Sequence, residues 1–366
     1  MAVINKWYML LGVVPFLFVS MPGMTQEEGW KQEWANILSA ARKDGKLVVM
    51  AGNPRSRRKL LARFTDKFGI PVEYIRVRSR KLKARLRSER EAGKYTADVY
   101  LGGIGTAYPL YLEKMFGPIR PLLILPGVVD PSKWKKGKLV FMDPEKKFFP
   151  RLFSTVGTDI FINTDYVKPT DLRSVKNLLD PKWKGKISAD DPTVAGGGSG
   201  AAAKFYLRLG EEFVKKLYID QKPVITHNRR QLTKWLADGT YPISIEPNKR
   251  SLKRLQEKGY PLKVVLDLHD FPATIGVGGG LVALLNQAPH PNAARVFVNW
   301  IASREALEIY SRARHEPTTR NDIDESFLRT ELIPRPGVDY FDSASWEFLE
   351  SREKVKQRLK ALLGSR

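Results

Sequence analysis

LVVMAGNPRSRRKLLARFTDKFGIPVEYIRVRSRKLKARLRSEREAGKYTADVYLGG, running from Leu47 to Gly103, separates three short apolar runs by two helical ones. Leu47 to Ala51 has the length of a strand. Behind Pro54, a residue suited to a first helical turn, Leu60, Leu61 and Phe64 recur at helical spacing. Pro71 to Val77 reads as a second strand. Ser79 stands where a helix cap belongs and Gly93 where that helix stops, and Ala97 to Leu101 is a third strand ending in Gly102-Gly103. Alternation of strand and helix at about 25 residues per unit predicts an α/β fold, a mainly parallel sheet flanked by helices.

On the N-terminal side, Trp34, Ile37, Leu38 and Ala41 form one stripe of a helix over 30–43 that ends at Asp44-Gly45. The first 26 residues differ in kind. Lys6 is their only charge, and the apolar run from Trp7 to Ser20 falls short of the roughly 20 residues that span a bilayer as a helix. This is the pattern of an export signal, although no A-x-A cleavage sequence lies near Met21 to Gln26. An exported chain with no cysteine for a lipid anchor fits a periplasm.

On the C-terminal side, residues 117–150 are rich in Pro, Gly and Lys and predict surface loops and short elements. Strands are expected at 156–163, at 186–189, near Val224 and at 241–245. Helices are expected at 171–179, from the Gly196–Gly198 run to Leu209, at 230–237 and at 251–259. Phe271 to Leu285 (FPATIGVGGGLVALL) reads as a glycine-interrupted strand pair. Two helices follow, over 293–301 and from a Ser303 cap to Arg312, and Ser343 to Leu363 is a basic amphipathic helical region.

A chain of 366 residues with no cysteine excludes disulfides, zinc-thiolate sites and a thiol nucleophile. The four histidines are scattered, and no G-x-S-x-G or G-x-x-x-x-G-K-[ST] occurs, so nothing announces a catalytic centre, a metal site, a cofactor or an ATP loop. Asp190-Asp191 face opposite ways on a strand and read as turn and capping residues. The net charge of +23 attracts anions of every kind without choosing among them.

Four segments, in order, resemble the family 1 extracellular solute-binding proteins, the type 2 periplasmic binding proteins that include ferric-ion receptors. They are Trp34 to Leu47, Ser88 to Leu101 (SEREAGKYTADVYL), Asp191 to Ala201 (DPTVAGGGSGA) and Ala288 to Tyr310 (APHPNAARVFVNWIASREALEIY). The resemblance spans roughly residues 30–325. It implies two α/β lobes closing on a solute in the cleft between them, with crossing segments near Gly157 to Asn163 and Ala273 to Gly280. The first lobe is then 27–156 with about 275–305, and the second 157–274 with about 315–366. It also implies a membrane permease and an ATPase as partners, and a monomer suits such closure.

Ligands of open α/β sheets bind beyond the carboxyl ends of strands. The candidate contacts are therefore Asn53 and Arg55, Gly103 and Thr106, Thr158, and Gly197, Gly198 and Ser199. The last three open a helix whose N–H groups and dipole favour an oxyanion. Glu246 and Asn248 follow the 241–245 strand. In ferric members a tyrosine pair stands there, and Pro247-Asn248-Lys249-Arg250 replaces it here, so the residues favour a small anionic solute over iron. The alternatives are a ferric-ion receptor and, in another class, a basic surface protein for polyanions or anionic membrane. Against the last, the charges of Ser79 to Glu91 spread around a helix that leaves only Leu82 and Leu86 apolar, a solvated outer face with no nucleic-acid target.

Overall fold

The computed structural model describes residues 26–52, 57–77, 79–194, 196–266 and 268–364. Helix α1 (Gln26–Asp44) leads into β1 (Leu47–Ala51), which is buried at all of its positions. After α2 (Arg58–Phe68), strand β2 (Val72–Arg76) lies parallel to β1 on one side. After α3 (Ser79–Glu91), strand β3 (Val99–Gly102) lies parallel to it on the other. Leu60, Leu61 and Phe64 of α2 and Leu82 and Leu86 of α3 are buried on opposite faces of this sheet, each in its own apolar cluster. Several charges of α3 are paired, Arg85 with Glu89 and both Lys83 and Arg87 with Glu113.

Helix α4 (Ile104–Leu112) was not legible in the sequence, because it contains Pro109. It leads to β4 (Phe116–Gly117), followed by short turns that include α5 (Pro126–Val129). The chain leaves this lobe through β5 (Thr155–Gly157). It then builds β6 (Ile160–Asn163), β7 (Ile187–Asp190), α6 (Gly197–Lys215), β8 (Val224–Thr226), α7 (Arg229–Ala237), β9 (Ile243–Ile245), α8 (Lys249–Gln256) and β10 (Leu262–Val264). The second sheet runs β10-β6-β9-β7-β8. Strands β7, β8 and β9 are parallel, and β6 pairs antiparallel with β9 on one side and β10 on the other, so β6 alone runs against the rest of a mainly parallel sheet. The helix expected at 171–179 is instead two 3₁₀ turns, Pro169–Asp171 and Val175–Leu179. Ser174 caps the second, and Asp180 with Pro181 ends it. The expected helix end at Leu209 coincides with Gly210, whose φ of 84° breaks the α6 geometry.

The strand pair expected over 271–285 is divided between two sheets. Strand β11 (Thr274–Gly276) pairs with β5, while β12 (Leu281–Leu285) inserts between β3 and β4 and completes the order β2-β1-β3-β12-β4. Helices α9 (Pro291–Ile301) and α10 (Arg304–Arg314) pack on the first lobe. The resemblance motifs around α9 have a mechanical role. The N–H groups of Asn292 and Ala293 donate to Asp44, and His290 donates its N–H to the buried Asp98 carboxylate, which also accepts from Val48. Strand β13 (Phe341–Asp342) then joins β11, so β13-β11-β5 forms a third sheet made of the three segments that pass between the lobes. Helix α11 (Trp346–Leu363) lies against α6, with Phe348, Val355, Leu359 and Leu363 in the second-lobe core.

One expected boundary is moved. Residues after 315 do not begin on the second lobe. Thr318 bridges to Phe153, Arg320 to Trp134, and Ile323 lies in the first-lobe core. Arg320 explains this: buried over the Trp134 ring, it donates to the carbonyls of Gly127 and Ala302 and to both oxygens of Asp322.

Candidate functional site

Helix α6 begins where the glycine run predicted, and its glycines are required by contact. A β-carbon on Gly198 would lie 2.3 Å from the Asp190 carbonyl oxygen, and one on Gly197 would lie 2.2 Å from Oε2 of Glu246. The head of the helix is partly filled from within. The Gly198 N–H donates to Asp190 at 2.9 Å, and Asp191 accepts from Thr193, the turn and capping roles expected of this pair. Ser199 is fully buried; its hydroxyl donates to the Gly196 carbonyl and accepts from Arg352 at 3.0 Å.

Around that helix start lies a buried network of charges. Glu246 follows β9 with a left-handed φ of 58°, which turns its carboxylate back under Gly197. Arg229 donates to it at 2.6 Å and Lys249 lies 3.1 Å away. Burial alone raises a carboxyl pKa, but Lys249, Arg229 and Lys204 outweigh it and hold Glu246 at about 2. Asp159, where β5 passes into β6, bonds Lys204 at 2.6 Å; burial pushes its carboxyl up, against the pull of that lysine. The site therefore carries fixed cations whose partners are already internal.

The first lobe faces this network through the start of α4. Gly103 is its N-cap, in extended conformation, and its carbonyl accepts from the N–H of Thr106 at 3.0 Å. The two helix starts touch one side chain. Arg352 of α11 donates to the Gly196 carbonyl at 2.6 Å, its Cζ would lie 3.7 Å from a β-carbon on Gly200, and its Nη1 would lie 2.3 Å from one on Gly105.

The structure thus brings together Gly197, Gly198, Ser199 and Glu246, while Gly103 and Thr106 stand in the first turn of α4, whose Gly105 meets Arg352. Asn53 and Arg55 lie outside the described residues. Thr158 is buried, with its hydroxyl accepting the N–H of Ile160, and Asn248 caps α8 by accepting from Ser251, so both side chains serve their own backbone. Arg352, Arg229, Lys204 and Asp159 were missed. Nothing in local sequence distinguishes the three cations among 62 basic residues.

The sequence profile of the bacterial extracellular solute-binding proteins matches residues 59–327. The chain belongs to that family. A solute-binding protein of this kind is the receptor of an ABC-type importer, taking a small ligand and serving a transporter. It is 26% identical over 292 residues to an uncharacterized protein of Haemophilus influenzae, covering 75% of this chain and 77% of that one. Among solved structures it is similar to the apo ferric ion-binding protein A of Pasteurella haemolytica (TM-score 0.68, 16% identity, 87% and 98% of the two chains). It is also similar to AfuA of Actinobacillus pleuropneumoniae with fructose-6-phosphate bound (TM-score 0.64, 20% identity, 88% and 99%). These likenesses establish the two-lobed type 2 fold. No helix among the described residues is long and apolar enough to cross a membrane.

Proposed function

We propose that this solute-binding protein captures a small anionic solute between its lobes, in the periplasm and as a monomer, and presents it to a permease. The observation that carries the reading is the meeting of two helix starts, α4 behind Gly103 and α6 behind Gly196, at the Arg352 guanidinium. Helix N-termini and a guanidinium favour the same ligand charge, and a bound oxyanion satisfies donors from both lobes, which favours closure. The proposed contacts at that meeting point are Gly197, Gly198 and Ser199 at the start of α6 and Gly103 and Thr106 at the start of α4. Pro247-Asn248-Lys249-Arg250 stands in place of a phenolate pair, and the Glu246 before it is already neutralised by Arg229 and Lys249, which favours an organic or phosphorylated anion over bare iron.

The test is the melting temperature of the protein lacking residues 1–26 against Fe(III), inorganic phosphate, sugar phosphates, dicarboxylates, amino acids and thiamine. A ligand at 100 times its dissociation constant adds about 2.7 kcal/mol. Strong stabilisation by one class of small anion supports the reading. Stabilisation by Fe(III) alone replaces it with a metal receptor. A shift with polyanions only, removed by salt, returns the basic surface as the binding element.

A further inference from the structure

The family match ends at residue 327, and the segment beyond it contributes a side chain to the interlobe site. Helix α11 is anchored on both lobes. Trp346 in its first turn packs edge-on against Tyr108 and Tyr111 of α4, with ring centroids 5.0 and 4.7 Å apart. Its later apolar residues Val355, Leu359 and Leu363 are buried with α6. Arg352 lies between these two anchorages, on the stretch of α11 that crosses from one lobe to the other.

The bonding of its guanidinium is one-sided. Both hydrogen bonds recorded among the described residues leave from Nη2, to the Gly196 carbonyl and the Ser199 hydroxyl. The opposite edge, Nη1, lies over Gly105 of the first lobe, where any larger residue than glycine would collide with it. A guanidinium presents a planar fork of donors that matches two oxygens of a carboxylate or phosphate, and here the edge facing α4 is the one left to do so. The carboxylates around it are already engaged, Glu246 with Arg229 and Lys249, Asp159 with Lys204 and Glu353 with Lys356, so among the described residues none forms an ion pair with Arg352.

We infer that Arg352 is the residue that selects the solute, pairing through its outward edge with an oxyanion held against the start of α4. The inference rests on the anionic-solute reading and adds to it the residue and the binding geometry. Because α11 grips both lobes, an oxyanion on Arg352 is held by the strap as well as by the two sheets.

The test is calorimetric titration of inorganic phosphate, citrate and fructose 6-phosphate into the wild type and Arg352→Gln, Arg352→Lys and Arg358→Gln, at fixed ionic strength. Arg358 pairs with Glu211 on the solvent side of α11 and controls for disturbance of the helix. For whichever oxyanion the wild type binds, Arg352→Gln is expected to weaken binding about tenfold or more, the scale of a lost charged hydrogen-bond pair. Arg352→Lys should lie between, keeping charge without the fork, and Arg358→Gln should stay within about twofold. Wild-type binding that Arg352→Gln leaves within about twofold overturns this inference alone. A wild type that takes up none of the three anions overturns the anionic reading with it. If Arg352→Gln does not fold, Arg352→Lys decides: undiminished affinity refutes the fork, and a clear loss upholds it.

Discussion

Replacing Lys204 by methionine removes one half of a buried ion pair while leaving the stem volume nearly unchanged. Lys204 and Asp159 are 5% and 4% exposed and bond at 2.6 Å, so neither can recover its interaction from water. Deleting one partner of such a pair costs about 3–5 kcal/mol, because the other charge stays buried and uncompensated. Glu246 adds a second negative charge that already opposes ionisation of Asp159. Asp159 in the variant therefore escapes by taking up a proton, and the cost becomes pH-dependent with a definite sign. A carboxyl whose folded pKa lies above its unfolded value binds more protons when folded, so stability falls as pH rises through that range. Urea unfolding at about pH 5 and about pH 8 should show Lys204→Met losing about 3–5 kcal/mol at the higher pH and at least about 1 kcal/mol less at the lower. Lys204→Met with Asp159→Asn should recover much of the loss, giving a favourable coupling in a double-mutant cycle. A loss below about 1 kcal/mol at high pH, or the same loss at both, would show that the pair is not the buried contact described.

Gly198→Ala, whose β-carbon would lie 2.3 Å from one backbone oxygen and 2.5 Å from a second, should cost about 1–3 kcal/mol in chemical denaturation and displace the start of α6. Glu246 is held at about 2, so its contribution is present above its unfolded value near 4.5 and lost as pH falls from there towards 2. Glu246→Gln should flatten the acid limb of the stability curve in that window, and an unchanged limb would place the acid sensitivity elsewhere. Arg320→Ala breaks the bonds that fix 316–328 to the first lobe and should lose about 3 kcal/mol, with Arg320→Lys rescuing little, because an ammonium cannot reach Gly127, Ala302 and both oxygens of Asp322 together.

The parts of the fold that were legible in the sequence are those in which each element carries its own period. The strands and helices between Leu47 and Gly103, the glycine start of α6, and the Pro291 helix were read from local pattern alone. What escaped was decided by partners far along the chain. Nothing in FPATIGVGGGLVALL says that Thr274–Gly276 and Leu281–Leu285 join different sheets, because a hairpin and a crossing both ask for glycine between two apolar runs. Helix α4 carries a proline that argues locally against it, and its buried residues Ile104, Ala107, Tyr108 and Leu110 override that preference. In the candidate site, the glycines were visible because their chemistry is local. Arg352 reaches Ser199 across 153 positions, and a lone arginine in a basic helix carries no mark of its destination.

The insertion of β12 between β3 and β4 has a consequence for the order of assembly. When a nascent chain has delivered β1 to β4, the sheet they belong to still lacks an interior strand, and that strand arrives only after the whole of β5 to β11. Until Leu281–Leu285 emerges, β3 presents an unpaired edge and β4 has no neighbour to hold it. Such long-range pairing postpones completion of the sheet until synthesis has passed Leu285. The polypeptide is thereby kept from reaching its finished shape early, with an apolar sheet edge left open until the missing strand is made.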